Sequence, residues 1–117
     1  MSPRRRSGAA KKARLEAAAP LFAALGDETR LLIVARLSDR GSMSIVGLTA
    51  GTGVTRQAVT KHLHVLADAG LVRSRHVGRE TVWDLDPVQL QAARQTLDGI
   101  SAQWDDALGR LKGLVEH

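Results

Sequence analysis

Val54-Thr55-Arg56-Gln57-Ala58-Val59-Thr60-Lys61-His62-Leu63-His64-Val65-Leu66-Ala67-Asp68-Ala69-Gly70-Leu71-Val72 reads as one amphipathic helix with marked ends, running directly into a strand. Thr55 suits the N-cap, because its hydroxyl can accept a hydrogen bond from an N–H of the first turn, and Gly70 suits the stop. At about 100° per residue, Arg56, Gln57, Thr60, Lys61, His64 and Asp68 fall in one arc. Val59, His62, Leu63, Val65, Leu66 and Ala69 fill the other. The result is a basic, amide-bearing face backed by an apolar one.

Working outward toward the C-terminus, Leu71 to His76 and Glu80 to Leu85 are rich in branched and aromatic residues and turn around Gly78, which predicts a β-hairpin. Two registers are open. With Val77 and Gly78 as turn residues Arg75 faces Glu80; with Gly78 and Arg79 as turn residues Arg73 faces Asp84. After Pro87 a last helix is predicted to about Val115. Leu90, Leu97, Trp104 and Leu111 repeat every seven residues in it, as do Ala93, Ile100, Ala107 and Leu114. Such a narrow heptad stripe suits pairing with another helix, and no helix of comparable length is predicted elsewhere, so the expected partner is the same helix of a second copy. Packing against the alanine-rich first helix is the alternative, and both can hold together.

Toward the N-terminus, Gly51 and Gly53 make a tight turn after a short helix at 45–50, itself preceded by an extended piece at 42–44. Asp27 caps a helix from Thr29 to Leu37, in which Leu31, Leu32, Val34, Ala35 and Leu37 are assigned to the core. Asp39, Arg40 and Gly41 end it. Residues 14–25 favour helix, with Pro20 either starting or kinking it. Residues 1–13 are small and basic, without large side chains to bury, and read as a disordered tail. The predicted order is mainly α with a small β-hairpin: a winged helix-turn-helix of about five helices and a two-stranded wing. It forms one domain over 14–117, with a dimerisation helix at about 87–115.

The 117 residues, 44% of them hydrophobic, suffice for one core. No apolar run is long enough to span a bilayer and no secretory leader is apparent, so a soluble, cytoplasmic protein is expected, on the nucleoid when bound to DNA. The net charge of +5 points to a polyanionic partner, but its placement matters more. Arg4, Arg5, Arg6, Lys11, Lys12 and Arg14 form an unopposed basic tail, which can wander over phosphates or simply aid solubility. Within the body, Arg56, Lys61, Arg73, Arg75 and Arg79 make the middle basic, whereas Asp84, Asp86, Asp98, Asp105, Asp106 and Glu116 make the end acidic.

Two stretches resemble the ArsR-like family of regulators. These are Leu25-Gly26-Asp27-Glu28-Thr29-Arg30 and the block from Val54 to Leu63 running on to Leu66-Ala67-Asp68-Ala69-Gly70-Leu71-Val72. The likeness spans roughly residues 18–115. It implies a dimeric repressor that releases operator DNA when an effector, often a metal ion, binds. The ending Gln103-Trp104-Asp105-Asp106-Ala107-Leu108-Gly109-Arg110-Leu111-Lys112 resembles a cysteine-free, metal-independent subgroup, some of whose members are encoded beside START-like proteins.

The expected partner is double-stranded DNA. Gln57 can bond an adenine edge and Arg56 a guanine edge in bidentate fashion, and Thr60 can serve base or phosphate. Thr55, Lys61 and His64 are assigned to phosphates. Arg73, Arg75 and Arg79 suit a wing on backbone or minor groove, with cross-strand pairing as the alternative. The alternative for Arg56 and Lys61 is a solvated helix face.

No metal site or cofactor is expected. There is no cysteine, and Ser44 to Thr49 therefore lacks the thiols by which related regulators sense soft metals. Asp98, Asp105, Asp106 and His117 chelate poorly, because the adjacent aspartates diverge by about 100°. His62 and His64 lie about 200° apart and cannot share an ion, which leaves His62 as a hydrogen-bonded, half-buried packing residue. Gly51-Thr52-Gly53 lacks the context of a phosphate loop, and no catalytic constellation has persuasive spacing, so no enzyme is expected. Two other readings stay open: a protein-interaction module on the same scaffold, and a small-molecule-gated regulator with a site between the last helix and the core.

Overall fold

The computed structural model describes residues 3–116, with side chains from 8 to 114; His117, weighed above as a metal ligand, lies outside them. The order is α1 (Pro3–Leu25), α2 (Glu28–Arg40), β1 (Met43–Ser44), α3 (Ile45–Thr49), α4 (Arg56–Asp68), β2 (Val72–Val77), β3 (Glu80–Leu85) and α5 (Pro87–Glu116).

The core sits where α2, α3 and α4 meet the root of the hairpin. Ile33, Leu37, Leu48, Val59, Leu63, Leu66 and Leu71 are closed off from solvent, ringed by Leu21, Ala24, Val72, Trp83 and Ala93. Burying each such aliphatic side chain is worth about 1.5–3 kcal/mol relative to exposure. One expectation fails here. Leu31, Leu32 and Ala35, assigned to the core, are exposed, and the buried pair on α2 is Ile33 and Leu37, one turn apart. Four consecutive apolar residues, Leu31 to Val34, go most of the way round a helix, so their pattern does not phase it.

The hairpin takes the register with Gly78 and Arg79 at its turn: Val77 pairs Glu80 and Arg73 pairs Asp84. The two-stranded wing expected from the sequence is this hairpin, and the short strand β1 joins it to make a three-stranded sheet in the order β1-β3-β2. Met43 pairs Trp83 and Ser44 pairs Val82. This strand stitches the start of α3 to the wing, and Ser44 then caps α3 by accepting from the Gly47 N–H.

A second correction concerns the N-terminus. Where a structureless tail was expected through residue 13, α1 begins at Pro3 and continues through Pro20. From Gly8 to Ala17 its side chains are exposed, so intrinsic propensity rather than burial carries these turns, with Lys12 and Glu16 paired one turn apart. Two long helices therefore extend beyond the core. The radius of gyration is 18.9 Å, against about 13 Å for a compact chain of this length. No helix among the described residues is long and apolar enough to cross a membrane.

Candidate nucleic-acid interface

Local chemistry sets both ends of α4. The Thr55 hydroxyl accepts from the Ala58 N–H at 3.1 Å, confirming its cap role. At the other end Leu71 N–H donates to the Leu66 carbonyl and Gly70 N–H to the Ala67 carbonyl, both at 2.9 Å. This crossed pair requires a left-handed residue, and Gly70 supplies it at φ 78°. The chain thus leaves α4 and enters β2 by a tightly defined turn.

Arg56, Gln57 and Lys61 are exposed on the first turns of α4, and none of their side chains makes a hydrogen bond or ion pair among the described residues. Thr60, between them, donates its hydroxyl hydrogen to the Arg56 carbonyl at 2.8 Å, which leaves its oxygen lone pairs outward as acceptors. His64 is exposed but tilted over Trp83 of β3, with ring centroids 6.3 Å apart. It links the face of α4 to the sheet.

The back of α4 is anchored by a polar link. His62 is half-buried, its Nδ1 3.3 Å from Arg30 Nη1 and 3.8 Å from an Asp27 oxygen. Arg30 also donates through Nε to the Ala24 carbonyl at the end of α1, and Asp27 accepts from the Arg30 N–H as the cap of α2. That backbone hydrogen bond is the main reason the Asp27 carboxyl titrates below its ordinary range. Sequence reading identified the packing role of His62 but not its partner Arg30. Arg36 was missed as well: it donates to the Leu48 and Ala50 carbonyls and so closes the end of α3.

On the wing, Arg73 and Arg75 share a face of β2. Arg75 takes the cross-strand alternative in a diagonal form: Nε donates to Asp84 Oδ2 and Nη2 to Ser42 Oγ, both at 2.8 Å. Ser42 in turn donates to Asp84 Oδ1. The hydrogen bonds from Ser42 and then Arg75 hold the Asp84 carboxyl below the usual aspartate range. The Arg73 and Arg79 side chains are exposed and make no hydrogen bond or close ion pair among the described residues, although the Arg73 charge adds to the field that holds Asp84 down. Trp83 closes the wing root with its indole N–H buried and unbonded among those residues.

The heptad seam of α5 divides in two. Leu90 and Ala93 pack on the core, and Ala107 is half-buried. Leu97, Ile100, Trp104, Leu111 and Leu114 are exposed, Trp104 at 63%. The first half of α5 also packs along α1, so the alternative of helix pairing within the chain holds there. Beyond it the apolar stripe lies open. No group of three or more potential metal ligands gathers among the described residues.

Residues 25–75 match the family described as a helix-turn-helix domain. An HTH-type transcriptional regulator of Mycobacterium tuberculosis is 40% identical over 93 residues, spanning 80% of this chain and 83% of that protein. The arsenical resistance operon repressor of Escherichia coli is 34% identical over 67 residues, 57% of each chain. Among solved structures, an ArsR-like transcriptional regulator from Rhodococcus sp. RHA1 superposes with a TM-score of 0.69 at 39% identity, covering 85% of this chain and 92% of that one. A capped helix with an exposed basic face, a hairpin wing within a three-stranded sheet and this degree of likeness lead to one conclusion: the chain belongs to the ArsR-like family of winged helix-turn-helix, DNA-binding transcriptional regulators.

Proposed function

We propose that the protein is a homodimeric repressor of an inverted-repeat operator, with the α4 helices of two copies in successive major grooves about 10 base pairs apart. The observation that carries this reading is the exposed trio Arg56, Gln57 and Lys61 at the start of a capped helix, their side chains without hydrogen-bond or ion-pair partners among the described residues. Arg56 and Gln57 read base edges, each bidentate contact worth about 1–3 kcal/mol of discrimination. Thr60, with its hydrogen engaged, accepts from a base amine or a bridging water. Thr55, Lys61 and His64 contact phosphates and set register.

On the wing, Arg73 and Arg79 contact the DNA backbone, while Arg75 chiefly holds the hairpin to the segment before β1 and offers its remaining N–H groups to a phosphate. The open half of the α5 stripe, Leu97, Ile100, Trp104, Leu111 and Leu114, with Ala107 half-buried among them, supports pairing with a second copy, whereas Leu90 and Ala93, expected in the same seam, are taken up by the chain's own core. The test is a mobility-shift assay on the region upstream of its own gene, with sedimentation to establish the stoichiometry. A retarded complex of two chains per palindromic site is expected; absence of any sequence-selective complex would refute the reading.

A further inference from the structure

We propose that the groove between α1 and α5 is a binding site for an amphipathic carboxylate, a molecule with an apolar body and one anionic head. The groove is half-open, with a volume of about 470 Å³, within the range of small-molecule sites, which are found between helices among other places. Its floor is apolar: Ala18 and Leu21 are 5% and 4% exposed, Leu15 and Ile100 form half-open walls, Ile100 at the edge shared with the α5 stripe, and Gln95, Thr96 and Gln103 add uncharged polar groups on the α5 side. Its only charged lining residues are Lys11 and Arg14, both cationic and neither ion-paired among the described residues. No acid lines it. An apolar floor with two cations on the α1 side selects an anion with a hydrocarbon body over a cation, a metal ion or a small hydrophilic anion.

The site has a route to the DNA-reading helix. Gln89 lines the groove, and its Cγ lies 3.0 Å from where a Cβ on Gly70 would stand, directly over the turn that ends α4. A ligand that moves Gln89 therefore acts on the residue that sets the exit of α4. This regulatory half of the inference rests on the DNA-binding reading; the binding site does not.

The test is calorimetry on the full chain with octanoate as the probe, acetate as a head without a body, and octan-1-ol as a body without a head. Saturable octanoate binding is expected, with acetate inert and octan-1-ol weaker. Gly99 lines the groove and a Cβ there meets nothing within 4 Å, so Gly99→Leu fills the groove from a helical position that gains propensity. It should raise the melting temperature by a few degrees and weaken octanoate about tenfold or more. Lys11→Ala with Arg14→Ala should weaken octanoate about fivefold and leave octan-1-ol unchanged.

The site is overturned if the full chain does not bind octanoate, as when the helix of a second copy fills the groove, if Gly99→Leu binds it unchanged, or if the charge variants bind it as the parent does. Saturating octanoate should change operator affinity at least about fivefold in the parent and not in Gly99→Leu; binding without that change overturns the regulatory half. A chain that binds octanoate but no operator refutes the DNA reading alone, and the converse refutes the site alone.

Discussion

Arg75 reaches diagonally across the hairpin to Asp84, Nε to Oδ2 at 2.8 Å, although its direct cross-strand neighbour is Val82. Ser42 bridges both partners, so an arginine read from the sequence as a wing contact, with cross-strand pairing as the alternative, is held between strand and loop. Asp84→Asn should cost about 0.5–1 kcal/mol of stability, as expected for a half-exposed pair. It also removes an acid beside the wing and so should strengthen binding to all DNA sequences alike. Because the Asp84 carboxyl titrates below the ordinary value of 3.8, its contribution is complete above that value and fades as pH falls through the lowered one. Urea melts at neutral and acid pH should converge for parent and variant.

Arg73 and Arg79 differ from Arg75 in that their side chains make no hydrogen bond or close ion pair among the described residues, Arg73 acting on Asp84 only through its charge. Replacing both with Ala should leave the preference among sequences intact, weaken binding to each, and reduce the slope of log affinity against log salt by about 2. Titrations at several salt concentrations read this directly.

Arg30 joins three elements: the end of α1 through the Ala24 carbonyl, the start of α2, and α4 through His62. Arg30→Ala should destabilise the fold by about 2 kcal/mol, because a charge-assisted link is lost and a half-buried carbonyl is left without its donor. Arg30→Lys should recover little, since one ammonium cannot reproduce the two-sided reach of a guanidinium. Thermal melts of the two variants check this.

Trp104 and Leu111 are 63% and 61% exposed, so Trp104→Lys with Leu111→Lys should hardly change the stability of a single chain. Sedimentation should nevertheless show monomers, and operator affinity should fall about 100-fold as two linked half-site contacts become separate ones. Dimers that persist would refute the assigned interface.

Legibility followed sequence separation. The cap at Thr55, the stop at Gly70 and the cap at Asp27 are local motifs, and the structure carries all three. The strand at Met43 and Ser44 was foreseen only as extended, because its pairing with Trp83 and Val82 spans some forty residues and two positions carry no period. The phase of α2 was lost in a run apolar on nearly every side, and Ile33 was found only by packing. Arg30, Arg36, Ser42 and the buried Trp83 indole are polar roles set by tertiary neighbours, which no window of sequence contains. The basic arc of α4 was legible because capping and helical period together determine which side chains face outward.

The measurement that bears most directly on the account is the ratio of affinities for the operator and for a scrambled duplex, compared between the parent and Arg56→Ala with Gln57→Ala. Both residues are exposed and unbonded through their side chains among the described residues, so the melting temperature should stay within a degree or two and non-specific binding within a few fold. The ratio should fall by about 10- to 1,000-fold. An unchanged ratio, with the fold intact, would contradict the claim that this face of α4 reads sequence.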